Sequence, residues 1–235
     1  MKRSIDKIKN SIDPLIKENK GTDNIIHADL GKIGYDKAFF IQEYLFNRVL
    51  EDKVRGFFIL LEHLPVITVG SNRSTSNLVA DRDELSRKGI ELIQSNRGGD
   101  ITFHGPGQLV CYPIFDLSRF EKDLTKYVFD LEEIIIRVLS YYGLAGKRID
   151  GLRGVFIGKQ KIASIGVRVK KWITMHGFAF NISVDLKYFE NIVACGLKDY
   201  IPVSLNRILG KDIPIDDVKE QVLRTTEKVF GITIV

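Results

Sequence analysis

The chain has 235 residues, enough to bury a full hydrophobic core within one domain. With 44% hydrophobic and 28% charged residues it is excluded from the disordered class, and no apolar run approaches the roughly 20 residues that span a bilayer. The net charge of +5 comes from scattered lysines without a long block of one sign, which reads as a solvated basic surface and not a nucleic-acid footprint. Acidic protein partners fit that balance equally well.

Residues 4–18 place Ile5, Ile8, Ile12, Leu15 and Ile16 at helical spacing, an amphipathic helix that must dock and that Lys20-Gly21 ends. Met1-Lys2-Arg3 is basic but no apolar segment follows, and Asp6, Asp13 and Glu18 argue against a transit peptide. A reduced, cytoplasmic location with free thiols is therefore expected. Residues 1–24 read as an extension and 25–235 as one domain, with no repeat, low-complexity tract or linker inside it.

A helix is predicted over 35–52, with Ala38, Ile41, Leu45 and Val49 on one face. Phe57–Leu61 and Val66–Val69 read as strands joined by the short Glu62–Pro65 connection, and residues 81–88 as a helix opening at Asp81 and closing at Gly89. Ile90–Ser95 is a strand leading into a glycine-rich loop, Arg97 to Gln108, and Leu109–Phe115 is a buried strand. The strongest helix spans 121–142, with Leu124, Val128, Leu131, Ile135, Val138 and Leu139 facing inward and Gly143 as its stop. Strands follow at 154–157, 161–169 and 173–184, the first two joined by a Gly158-Lys159-Gln160 turn. A helical turn at 185–192 and a last helix over 216–229 complete the pattern. Helices and hairpins interspersed in this irregular way predict a mixed, largely antiparallel sheet flanked by helices, an α/β class of the α+β mixed type.

The glycine loop is the obvious ligand cradle, since residues without Cβ let backbone approach a bound molecule. It matches neither GxxxxGK[ST] nor GxGxxG, and no GxSxG or HExxH occurs, so the common nucleotide and hydrolase signatures are absent. Two cysteines outside any CxxC pair and 4 histidines make a structural zinc site unexpected. Cys195, in a loop beside Gly196, has room to meet a substrate, whereas Cys111 lies in an apolar strand and reads as inert packing. A thiol with an ordinary pKa near ~8.5 needs a cationic or basic neighbour to act as a nucleophile. His104, His176, Lys159 and Lys161 are candidates. Lys159 reads as solvated, His27 and His63 as packing residues, and an exposed strand-end position is the default for Lys161. From the residues alone, Cys–Lys and Cys–His pairs both stay open, and no substrate follows.

Four ordered segments then carry a resemblance. Arg97-Gly98-Gly99-x-x-Thr102-Phe103-His104-Gly105-Pro106-Gly107-Gln108, Gly158-Lys159-Gln160-Lys161-Ile162-Ala163-Ser164-Ile165-Gly166, His176-Gly177-Phe178-Ala179-Phe180-Asn181 and Ala194-Cys195-Gly196-Leu197 resemble the signatures of the octanoyltransferases that make protein-bound lipoate. The resemblance covers roughly residues 25–231. It implies the fold of the biotin and lipoate ligase catalytic domains, and transfer of an octanoyl or lipoyl group from acyl carrier protein to a lysine of lipoyl domains. The acceptors implied are the E2 subunits of 2-oxoacid dehydrogenases and the glycine cleavage H protein. No cofactor, nucleic acid or membrane is implied. By the same resemblance Cys195 forms the acyl thioester and Lys161 lowers its pKa and moves protons. Arg97, Gly98, Gly99, Asp100, Ile101, Thr102, Phe103 and His104 would line the acyl site with Ser164, Ile165, Gly166, Gly177, Phe178 and Ala179, and His176 would be a positioning group. Arg97 has two open roles, loop anchor or contact for an acidic or phosphate group of the donor. Ala194 departs from the family, which usually has proline before the cysteine. The alternatives within the fold are an ATP-dependent lipoate or biotin ligase and an amidotransferase between lipoyl domains; outside it, a non-catalytic binder of lipoyl domains.

Overall fold

The computed structural model describes residues 2–52, 54–71, 73–193 and 200–235. Cys195 therefore lies outside the described residues, as do Ala194, Gly196 and Leu197 of its motif.

In chain order the elements are α1 (Lys2–Glu18), β1 (Ile26–Ile33), α2 (Tyr35–Asp52), β2 (Gly56–His63), β3 (Val66–Val69), α3 (Arg82–Arg87), β4 (Glu91–Gln94), β5 (Thr102–His104), β6 (Gln108–Phe115), α4 (Leu124–Tyr141), β7 (Lys147–Ile149), β8 (Leu152–Ile157), β9 (Gln160–Lys170), β10 (Ile173–Asn181), β11 (Ile201–Pro202), α5 (Leu205–Leu209) and α6 (Ile215–Phe230). Local chemistry marks the helix ends. Asp81 and Asp123 accept amide hydrogens of the first turns of α3 and α4, and Gly231, at φ +61°, closes α6 in the left-handed region. Among the described residues, no helix is long and apolar enough to cross a membrane.

The large sheet runs β1-β2-β6-β10-β9-β8-β7, with β11 added beside β9. Among the described residues of this sheet, β1–β2, linked through α2, and β9–β11 pair in parallel, and the other strand pairs are antiparallel. The mixed, mostly antiparallel sheet expected from the sequence is thus present. Period-2 alternation distributes the central strands between two cores. Leu109, Cys111, Phe115, Phe178 and Phe180 pack with α4 and α6, while Val110, Tyr112, Ile114, Met175 and Ala179 pack with α2 and with Ile12 and Ile16 of α1. Gly177 is needed where β10 crosses β6: a Cβ there would stand 2.3 Å from the Cys111 carbonyl oxygen.

Three departures from the sequence reading have physical causes. Leu124, expected inward, is exposed, because it is the first residue of α4 and lies beyond the face that meets the sheet. The stretch read as one loop contains β5, which joins β3 and β4 in a separate three-stranded sheet ordered β4-β3-β5. The strands β2 and β3, consecutive in the chain, therefore belong to different sheets. The small sheet has its own core of Ile67, Val69, Ile101 and Phe103 with Phe189 and Ile192.

Candidate active site

The glycine loop runs from one sheet to the other. Its anchor is Arg97, 7% exposed, whose Nε and Nη2 donate to Thr68 Oγ1 at 3.1 and 2.8 Å, Nη2 to the Thr68 carbonyl at 2.7 Å and Nη1 to the Gly98 carbonyl at 3.0 Å. Gly98 N–H then donates to the Val167 carbonyl of β9 at 2.9 Å. Of the two roles left open for Arg97, these bonds supply loop anchoring. The fork needs a planar multi-donor group, which an ammonium lacks. Arg97→Lys is therefore expected to cost about 2–3 kcal/mol of stability, read by urea unfolding at neutral pH; a loss below about 1 kcal/mol would show that the fork contributes little beyond its charge.

Beneath the loop lies a cavity with about 460 Å³ of empty volume, part of it open to solvent. Its walls gather residues from segments far apart in sequence: Arg97, Gly99, Asp100, Thr102 and His104 from the loop and β5, Ser164, Ile165 and Gly166 from β9, and His176, Gly177, Phe178 and Ala179 from β10. Most of the residues expected at a binding site thus meet in one place. Gly98, Ile101 and Phe103 do not line it. Gly98 is held to β9, and Ile101 and Phe103 point into the small-sheet core because β5 alternates its side chains between cavity and core. Tyr35 of α2 and Val110 and Tyr112 of β6 complete the lining and were missed. The available signal was a tyrosine in an otherwise apolar strand, a side chain that carries its hydroxyl to a buried partner.

The polar floor is built from neutral rings with assigned proton positions. His63 Nδ1 lies 3.2 Å from the Ile33 carbonyl, which only accepts, so Nδ1 carries the proton and Nε2 accepts from Tyr112 Oη at 2.6 Å. Gln108 Nε2 donates to the Phe103 carbonyl and to Asn181 Oδ1, which turns Gln108 Oε1 toward His104 Nδ1 at 2.7 Å and makes that nitrogen the donor. His176 Nε2 meets Asn96 Oδ1 at 2.6 Å. His63, read as a packing residue, therefore belongs to the layer directly behind the cavity.

Burial pushes the pKa of His63 down to about 4, and burial, reinforced by Arg97 and Arg168, pushes that of His176 down to about 3. His104 is lowered well below its ordinary value by burial first and then by His63 and Arg97. Unfolding frees these rings to bind protons below about pH 6.5, so the stability they contribute is complete above that pH. It is lost as pH falls from the unfolded value toward about 4 for His63 and about 3 for His176. The loss is about 1.4 kcal/mol per histidine per pH unit. Urea midpoints at pH 7 and pH 5 should reveal a steep decline that shrinks in His63→Gln; an unchanged decline in that variant would contradict the assignment.

Lys161 is 7% exposed, not the solvated strand-end residue that spacing favours. It pairs with Phe156 of β8 on one side and Pro202 of β11 on the other, and its Nζ stands 5.5 Å from the Phe156 ring centroid. It is not among the cavity-lining residues. Lys159, in the turn, is exposed as expected. Cys111 is fully buried, and desolvation raises its thiol well above the usual range. The segment that carries Cys195 is bounded by two described anchors. Val193 N–H donates to the Asn77 carbonyl at 2.8 Å, and Val203 N–H to the Lys161 carbonyl at 3.0 Å, with Asn181 Nδ2 donating to the Val203 carbonyl at 3.0 Å. Asn77 Nδ2 in turn donates to Asp100 Oδ2 of the glycine loop at 2.6 Å.

Comparison with known proteins bears on this arrangement. Residues 34–227 match the Lipoyl protein ligase A/B catalytic domain family. The chain is 46% identical over 207 residues to the octanoyltransferase of Solibacter usitatus, covering 88% of this chain and 93% of that protein. It is 45% identical over 204 residues to the octanoyltransferase of Caldicellulosiruptor bescii, covering 86% and 90%. In fold it is similar to a bipartite lipoate protein ligase of Thermoplasma acidophilum, with a TM-score of 0.71, 16% identity and coverage of 91% of this chain and 86% of that one. It is also similar to the biotin protein ligase of Aquifex aeolicus, with a TM-score of 0.54, 13% identity and coverage of 87% and 70%. The chain belongs to the lipoyl protein ligase A/B catalytic domain family and, within it, to the octanoyltransferases, which are acyltransferases.

Proposed function

We propose that the protein transfers an octanoyl group from acyl carrier protein to a lysine of a lipoyl domain, through a thioester on Cys195. The observation that carries this reading is the cavity itself: the glycine loop, Ser164–Gly166 and His176–Ala179 form one pocket whose histidines are uncharged. An acyl chain gains about 0.8 kcal/mol per methylene buried, so burial of the chain supplies binding energy without a charged anchor. Cys195 is two residues beyond Val193 and five before Tyr200, and Tyr200 leads into β11 beside Lys161.

The chemistry balances with these groups. The Cys195 thiolate attacks the carrier's thioester carbonyl, and the carrier thiolate leaves with a proton from the Lys161 ammonium. The lysine amine of the acceptor then attacks the acyl-cysteine, the Cys195 thiolate leaves, and the neutral Lys161 takes the amine's proton. Exchange of one thioester for another is nearly even, while amide formation draws the sequence forward. Each tetrahedral intermediate develops an oxyanion that backbone amides must meet. The acceptors in this reading are lipoyl domains of dehydrogenase E2 subunits and the glycine cleavage H protein, in a reducing cytoplasm. Residues 25–235 are the catalytic unit and 1–24 an extension.

Incubating the protein with octanoyl-acyl carrier protein, without ATP or acceptor, and measuring intact mass tests this reading. An octanoyl adduct on the protein is expected. A ligase mechanism would give none until ATP and a free acid were supplied, and an amidotransferase would load only from an octanoylated lipoyl domain.

A further inference from the structure

One residue in contact with the cavity wall stands in a backbone conformation its type disfavours. His176 has φ +58° within β10, a left-handed value that side chains with a Cβ rarely adopt. Its amide donates to Oε1 of Gln42 at 2.7 Å. Gln42 is 1% exposed, a polar residue on the buried face of α2. Its Nε2 has no hydrogen-bond partner among the described residues. The rest of the His176 side chain is fixed as well: Phe39, one turn before Gln42 on α2, stacks on the ring at 6.0 Å and 17°, Tyr112 meets it edge-on at 5.9 Å, and Asn96 takes Nε2. Gln42 differs from these in acting on the backbone.

We propose that Gln42 is a positioning residue that holds His176 in the left-handed conformation and so fixes the part of the cavity wall that His176 forms. The inference rests on the cavity being the acyl site. With the amide captured, the imidazole is presented to the cavity from one direction and in one tautomer, as a rigid wall. Without it, the backbone relaxes toward the extended region, the ring leaves its place between Phe39 and Tyr112, and the wall becomes adjustable. The depressed proton affinity of His176 agrees with a ring that stays uncharged in this position.

Two readouts separate this from a merely structural role. On the full chain without substrate, the His176 13Cα shift and the ring 15N shifts should report a left-handed residue with the proton on Nε2. In Gln42→Met, of similar length but without an acceptor, both should move toward extended backbone and mixed tautomers. Gln42→Asn, one methylene short of the amide, is a milder variant with the same expected direction. In parallel, acyl-cysteine formation is measured with octanoyl and decanoyl carrier protein. The wild type should prefer octanoyl, and the variants should shift the ratio of the two rates at least fivefold toward parity. Variants that lose melting temperature and both rates in proportion, with the ratio and the His176 shifts unchanged, would overturn the proposal. A wild type that takes no octanoyl group would instead refute the acyl reading, while the NMR shifts would still decide whether Gln42 locks His176.

Discussion

Exchange of Cys195 for serine is expected to abolish the octanoyl adduct and lower turnover by about 10³-fold or more. A serine hydroxyl is not ionised near neutral pH and would need a general base. The three histidines nearest the cavity are not free to serve as one. His63 Nε2 already accepts from Tyr112, and burial disfavours protonation of all three rings. The other thiol cannot substitute. Cys111 sits in the core between Leu60 and Phe178, fully buried, with ionisation opposed by desolvation. Intact mass followed by peptide mapping gives the answer. An adduct that persists in Cys195→Ser, or one that maps to Cys111, would overturn the covalent route through Cys195.

The second large effect concerns Lys161. Lys161→Met keeps most of the stem that lies beside Gly154 and Phe156 of β8 but removes the charge, so the fold should survive. Alkylation of Cys195 by iodoacetamide, followed against pH, should then show its midpoint moving up toward the ordinary thiol value of about 8.5, with the rate near pH 7 falling about tenfold or more. Octanoyl transfer should fall further, because the same group is asked to supply and recover a proton in the two half-reactions. In the proposed mechanism the attraction between the lysine and the cysteine thiolate is what favours the thiolate, and a site of low dielectric strengthens such an attraction relative to water. An alkylation profile identical to the wild type would remove Lys161 from the role of activating the cysteine, whatever happens to turnover.

Much of the scaffold was legible because it rests on local signals. The apolar spacing of Ala38, Ile41, Leu45 and Val49 defined α2, Asp81 and Gly89 bounded α3, and the Gly158-Lys159 pair marked the turn between β8 and β9. The four motifs were legible as sequence strings, and three of them meet at the cavity. Leu124 shows the limit of periodicity, which gives the direction of a side chain but not whether a neighbour reaches that far along the helix. Ile101 and Phe103 show another, since a contiguous motif was read as one wall although β5 sends alternate residues to opposite sides.

By itself the sequence determined the longer helices but not the short α5, most strands, the mixed sheet and the placing of Cys195, Lys161 and the glycine loop in motifs of an acyl-transferring family. Those features depend on neighbours a few residues away or on strings that can be matched directly. Only the tertiary structure decided that Arg97 anchors the loop through Thr68, 29 residues distant, that Lys161 is enclosed between β8 and β11, and that Gln42 reaches His176 across 134 residues. It also decided that the histidines around the cavity are neutral, because a ring's proton affinity is set by burial and by charges that folding brings to it. Burial and long-range partners are properties of packed elements, and no local pattern in the chain encodes them.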